Sequence, residues 1–157
     1  MREAASRVPR PASILIQRRI EWRDTDASGA YHNSAAFSFI EEAETALLDR
    51  LGMLHEVYGR LPRVRIEAEF ERPLWHRDLC DIELTVAALG TTSITYEVTV
   101  ASKGETCVRA RAVAVLLDRI GGTPMAWSER DRRILEGSGP QTPELLVDGP
   151  GGTRINP

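Results

Sequence analysis

The chain has 157 residues, a formal net charge of −3, and 42% hydrophobic against 27% charged residues. That length fits one domain with a core of its own, and a slightly acidic chain without a basic block lacks the phosphate-neutralising surface of a nucleic-acid binder. No apolar run approaches the ~20 residues that span a bilayer, and the N-terminus lacks the charged and apolar segments of a signal peptide. A cytoplasmic protein is expected, with no nucleic-acid or membrane partner. Its two cysteines, Cys80 and Cys107, form neither a CxxC pair nor a disulfide framework, and Cys107, in a strand-like run, reads as a small core residue.

Residues 1–12 carry no periodic pattern and are expected to form a flexible arm. From Ile14 the chain alternates, with Ile14, Ile16, Ile20 and Trp22 opposite Gln17, Arg19, Glu21 and Arg23. Arg18 interrupts the apolar face. This predicts a first strand that ends at an Asp-rich turn.

From about Asn33 the period changes. Ala36, Ile40, Ala43, Leu47, Leu51 and Leu54 recur at helical spacing, with Phe39 and Ala46 widening the stripe and Glu42, Thr45 and Asp49 opposite. Gly52 is placed to end the helix in a left-handed turn. Four further strands follow, through Val64–Phe70, Ile82–Ala88, Ile94–Val100 and Val108–Leu116, with a hairpin turn at Lys103-Gly104. Connections this short make the strands antiparallel. The expected fold is α+β: a sheet of about five strands curled around one long central helix. A short capped helix is expected from Ser128 to Glu136. The domain is placed at 13–136, and residues 137–157, rich in Gly and Pro, are expected to be disordered.

Asp24-Thr25-Asp26-Ala27-Ser28-Gly29-Ala30-Tyr31-His32-Asn33 joins the first strand to the helix. Asp, Ser, Gly and Asn are ordinary turn and cap formers, yet such connections are also where reactive groups gather. On an extended chain Asp24 and Asp26 would project to one side; one is expected to bond local amides and the other to be free. Asp26, nearer the glycine turn and the helix, is the candidate for the free one. A carboxylate beside a helix N-terminus faces unpaired amides that can polarise a carbonyl, which suits acyl transfer. His32 is a candidate base or donor. Asn33 is a natural N-cap, and its amide would point out of the helix end. Glu42 is expected to be solvated, and Glu41 stands on the flank of the apolar stripe. His55 and His76 have no partners at metal-ligand spacing, so no metal is expected. A serine-nucleophile elbow and a phosphate-cradling loop are also missing.

With these residues in view, the sequence resembles the hotdog-fold acyl-CoA thioesterases of the 4-hydroxybenzoyl-CoA thioesterase type. Asp24-Thr25-Asp26-Ala27-x-Gly29, His32-Asn33, Phe39-x-Glu41-x-Ala43, Phe70-x-x-Pro73-Leu74 and Asp78 carry the resemblance over roughly residues 14–120. It implies that Asp26 attacks the thioester carbon or activates water, with a backbone amide near Asn33 as oxyanion donor. It also implies coenzyme A lying across a subunit interface as part of the substrate, with no separate cofactor. Ser93 matches a position near the nucleotide, and Arg63 and Arg65 are candidate phosphate contacts. Gly29, Tyr31, Ala36, Phe37, Glu41 and Trp75 are candidates for lining the substrate site. Departures are Ala36, where many members carry an aromatic, Arg77, where many carry Gly, and His32, one position earlier than in members with a Tyr-His-x-x-Tyr pattern.

The expected partners are an acyl-CoA or acyl-carrier-protein substrate and further copies of the chain, as a homodimer or homotetramer. Two other functions remain open from sequence. One keeps the fold but acts as an enoyl-thioester hydratase, dehydratase or polyketide-release enzyme; the other binds acyl thioesters without catalysis.

Overall fold

A computed structural model describes residues 8–141 and, for the backbone alone, 144–146. The period-two stretches form five antiparallel strands: β1 (Arg10–Arg19), β2 (Arg63–Phe70), β3 (Leu79–Leu89), β4 (Ser93–Ser102) and β5 (Glu105–Val115). They lie in the order β2-β5-β4-β3-β1. The helical stretch forms α1 (Ala35–Arg50), which packs its apolar stripe against the inward face of the sheet. An open sheet around one long helix is the hotdog arrangement that the resemblance implies. No described helix is long and apolar enough to cross a membrane.

The core follows the alternation. Ile14 and Ile16 on β1, Ile82, Leu84 and Val86 on β3, and Ile94, Tyr96, Val98 and Val100 on β4 meet Phe39, Ile40, Ala43 and Leu47 of α1 in one buried cluster. Cys80 and Cys107 are buried in it as well. Ile94, Tyr96 and Val98 sit opposite Ala114, Ala112 and Ala110 on β5, so large side chains alternate with small ones and the helix fits between them. Each large side chain buried here contributes about 1.5–3 kcal/mol.

Turn chemistry closes the elements as expected. Lys103 and Gly104, at φ 52° and 76°, form the tight β4–β5 hairpin. Gly52, at φ 70°, follows the end of α1. A short helix, α2 (Leu54–Val57), takes up Leu54, which thus lies beyond α1. The later helix, α3 (Glu129–Gly137), is capped by Ser128, whose hydroxyl accepts from the Asp131 N–H at 3.1 Å.

Several boundaries differ from the sequence reading. β1 starts at Arg10, inside the expected arm, because Ala12 is fully buried. It ends at Arg19, and Trp22 leaves the apolar face for a short 3-10 turn, where it is 76% exposed. Two segments of the expected tail, β6 (Ser138–Pro140) and β7 (Glu144–Leu146), pair in parallel with β1. Edge pairing of this kind uses backbone groups, so a Gly- and Pro-rich composition conceals it. Residues 1–7, 142–143 and 147–157 lie outside the described residues.

Candidate active site

The loop between β1 and α1 is closed on itself and stapled to its neighbour. Thr25 and Tyr31 form an isolated bridge. The Asp26 N–H donates to the Ala30 carbonyl at 3.0 Å, and the Gly29 N–H to the Asp26 carbonyl at 3.0 Å. Gly29 has φ 84°, a left-handed conformation that glycine adopts without strain. The segment before β3 holds the far side: the Tyr31 N–H donates to the Leu74 carbonyl at 2.7 Å, and Ala30 pairs with Trp75. A solvent-facing loop thereby gains a fixed backbone.

The two aspartates divide as the sequence suggests, though not by sharing a side of a strand. Asp24 closes the 3-10 turn and is 7% exposed. Its Oδ2 accepts from Arg18 Nη2 at 2.7 Å and from the Glu21 N–H at 2.8 Å. Asp26 is exposed at the loop tip, and its Oδ1 accepts from the Ser28 N–H at 2.8 Å and the Ser28 hydroxyl at 2.5 Å. The Ser28 hydroxyl, then the Ser28 amide, hold the Asp26 carboxyl below the usual aspartate range, with a smaller contribution from His32. Asp26 is therefore ionised at neutral pH. Its Oδ2 has no partner among the described residues.

At the helix start the N-cap position falls to Ser34 rather than Asn33, and among the described residues no side chain caps the helix. The Ser34 N–H donates to His32 Nδ1 at 3.1 Å, and the Ser34 hydroxyl lies 2.7 Å from the same nitrogen. An Nδ1 that accepts this hydrogen bond carries no proton of its own, which leaves the ring N–H on Nε2. Ala35, Ala36 and Phe37 donate their N–H groups to the carbonyls of His32, Asn33 and Ser34. Asn33 is an exposed residue, and its N–H is left with no acceptor among the described residues. One free donor at a helix N-terminus thus follows the loop that carries a free carboxylate oxygen.

The other candidates fall into two groups. Gly29, Tyr31 and His32 share the loop with Asp26, and Ala36, Phe37 and Glu41 follow on the first turns of α1. Tyr31 is buried between Phe39 and Phe70, with ring centroids at 6.4 and 6.1 Å. Its hydroxyl has no partner among the described residues, and burial pushes its pKa up to about 12. Ala36 is buried, whereas Phe37 and Trp75 are about half exposed. Arg63, Arg65 and Ser93 share no hydrogen bond with the loop. Arg63 is folded inward and bonded to Glu44 Oε2 at 2.6 Å; Arg65 pairs with Glu67 on the β2 surface. Ser93 opens β4, and its carbonyl accepts from Trp127 Nε1 at 3.1 Å.

Sequence reasoning missed Ser28, the direct partner of Asp26, although an Asp-x-Ser turn is its signal. Glu42, expected in solvent, is half-buried with Oε2 3.5 Å from Arg18 Nε. Burial pushes its carboxyl up, and Arg18 opposes that rise. The break that Arg18 made in the apolar pattern was the visible sign of this pair.

Two depressions flank the loop. One of about 450 Å³ is lined by Trp22, Thr25, Asp26, Ala27, Ser28 and Gly29. The other, of about 400 Å³, runs along the helix start past Arg18, Asp24, Ser34, Ser38 and Glu41. Among the described residues no three His, Cys, Asp or Glu side chains stand together to hold a metal ion.

The sequence profile of the thioesterase-like superfamily matches residues 20–135, from the end of the first strand into α3. The chain belongs to the thioesterase-like superfamily. Among curated relatives, the 1,4-dihydroxy-2-naphthoyl-CoA hydrolase of Synechococcus elongatus is 34% identical over 85 residues. That match takes in 50% of this chain and 62% of the relative, less than two thirds of its length. The 1,4-dihydroxy-2-naphthoyl-CoA thioesterase of Synechocystis superposes with a TM-score of 0.70 over 78% of this chain and 95% of that one. At 16% identity this likeness is one of fold. A thioesterase of Thermus thermophilus complexed with coenzyme A and zinc is 26% identical, with a TM-score of 0.69 over 77% and 90% of the two chains. In this member of the thioesterase-like superfamily, the β1–α1 loop lies inside the matched region, as do α1 and β2 to β5.

Proposed function

We propose that the protein hydrolyses an acyl-CoA thioester, with Asp26 as the reacting carboxylate and the Asn33 amide as the oxyanion donor. One observation carries the reading: a single stapled loop bears an ionised carboxylate with an unbonded oxygen and leads to a helix-terminal N–H without an acceptor. The names of the relatives support the reaction class.

A thioester carbonyl held against the Asn33 N–H gains negative charge on oxygen as a nucleophile adds to its carbon. A donor fixed at the helix end stabilises that charge more than it stabilises the neutral carbonyl. Asp26 Oδ2 either adds to the carbon, releasing the thiolate and leaving an acyl-aspartyl anhydride that water cleaves, or takes a proton from the water that adds. Both routes end in a free acid and a thiol. The Ser28 bonds keep Asp26 ionised, which both routes require. His32, with Nδ1 committed to Ser34, has Nε2–H to offer as a donor to bound substrate.

An aromatic acyl group is the first substrate class to try, because Trp22, Phe37 and Trp75 are exposed on or beside the loop. The same proposal takes coenzyme A rather than a carrier protein as the thiol, in the cytoplasm. It also takes a homodimer as the working form. β2 has a strand neighbour, β5, on one side alone among the described residues, and Val64 and Phe70 are exposed on it. The opposite edge, at β1, is covered by β6 and β7. A second copy joined along β2 would extend the sheet.

A panel of aryl-, short- and long-chain acyl-CoAs assayed for free thiol tests the proposal. Thiol release from at least one aryl-CoA, lost in Asp26→Asn, is the expected result. No turnover of any member, or full activity in Asp26→Asn, contradicts it. Binding of CoA esters without turnover would identify a binding domain, and hydration of an enoyl-CoA without thiol release a hydratase.

A further inference from the structure

We propose that Arg18 is a positioning residue that fixes the Asp26 loop against the start of α1. The proposal rests on the thioesterase reading above. Arg18 occupies the inward face of β1, where the strand period calls for an apolar side chain, and its side chain is 6% exposed. Its Nη2 bonds Asp24 at 2.7 Å, its Nε lies 3.5 Å from Glu42, and its guanidinium stands 4.7 Å over the Phe39 ring. Among the described residues no other side chain bonds both Asp24 and α1.

Asp24 passes that restraint on in both directions. Its carboxylate holds the Glu21 N–H, and its carbonyl accepts the His32 N–H at 2.6 Å. Asp26 lies two residues beyond Asp24, and Asn33 one beyond His32. Phe39 and Glu42 belong to the first two turns of α1. The separation of the free carboxylate from the free amide is thus set by where Asp24 sits relative to the helix, and Arg18 fixes that.

Stability is a poor reason for a guanidinium at this place. A buried ion cluster is often no more stable than a well-packed apolar replacement, and Arg18 Nη1 finds no partner among the described residues. A planar cation able to reach a loop and a helix at once has a geometric use that an apolar side chain lacks.

The test uses the full chain and the fastest substrate of the acyl-CoA panel. Arg18→Met, Arg18→Lys and the uncharged triple variant Arg18→Met/Asp24→Asn/Glu42→Gln are measured beside Asp26→Asn, with folding followed by circular dichroism. Arg18→Met is expected to lower kcat about 10- to 100-fold, the scale of a misplaced reacting group, while KM stays within about threefold. Arg18→Lys recovers part of the lost kcat. The triple variant leaves no charge of the cluster unpaired, so it melts close to wild type yet keeps the low kcat. If Arg18→Met does not fold, the triple variant decides. A folded variant lacking Arg18 with wild-type kcat, or a loss lying wholly in KM, overturns the positioning role alone. No thiol release by the wild type from any acyl-CoA of the panel overturns the thioesterase reading beneath it, and an Asp26→Asn variant at full rate overturns the role of Asp26.

Discussion

Asp24 and Asp26 stand two residues apart in one loop and live in opposite environments. Asp24 forms the root of the loop, buried against Arg18 and the Glu21 amide. Asp26 forms its tip, open to solvent, with its carboxylate held among the described residues by Ser28. An extended chain would have placed both carboxylates on one side; the 3-10 turn at Trp22–Asp24 turns them apart. Surroundings, rather than residue type, assign one carboxylate to architecture and leave the other to chemistry.

Substituting the two in turn is the harshest way to break that contrast. Asp26→Asn should lower kcat/KM for an acyl-CoA by about 10²–10⁴-fold, while its stability to denaturant changes by no more than about 0.5 kcal/mol, as for an exposed residue. Asp24→Asn should do the reverse in kind, costing about 1.5–3 kcal/mol of stability by giving buried Arg18 a neutral acceptor in place of a charged one, with Glu42 its remaining carboxylate among the described residues. Urea unfolding and thiol release on the same preparations separate the two effects, and equal stability losses would dissolve the distinction.

A smaller effect sharpens the account of the tip. Activity that needs ionised Asp26 is present above its pKa and lost as pH falls through it. Because Ser28 holds that pKa below the usual aspartate range, the acid limb of kcat/KM belongs below that range too. Ser28→Ala removes the hydroxyl and keeps the backbone bond, so the limb should move to higher pH. A limb that stays in place would show that Asp26 does not govern it.

The smallest effect concerns the frame. Arg77 has φ 76° and an exposed side chain, a backbone state that costs a non-glycine residue roughly 1 kcal/mol. Arg77→Gly should therefore raise stability by up to about that amount, or about 2–4 °C in Tm. No gain in a thermal melt would show that the turn carries no such strain.

Much of this was legible in the sequence because it depends on side-chain period. Alternation marked the five strands, the three-and-four spacing marked α1, and Gly52 and Lys103-Gly104 marked their turns. The left-handed turn at Arg77 was not read from the sequence, since an arginine carries no signal for it. The unread parts depend on interactions with no local signature. β6 and β7 join the sheet through backbone groups of the β1 edge. Arg63 turns inward because Glu44, on another element, waits there. At the site, Asp26 was legible from its motif, whereas the place of Ser34 rather than Asn33 at the N-cap was not. There a ring nitrogen of His32 lies within reach of the Ser34 amide, which spacing alone does not reveal.

The central claim is that the carboxylate at the loop tip meets the thioester. Its most direct test is a single turnover of an aryl-CoA, with enzyme in excess, comparing thiol release by wild type and Asp26→Asn. Chemistry slowed at least about a hundredfold in the folded variant is the predicted result. A wild-type rate of thiol release from Asp26→Asn would contradict it.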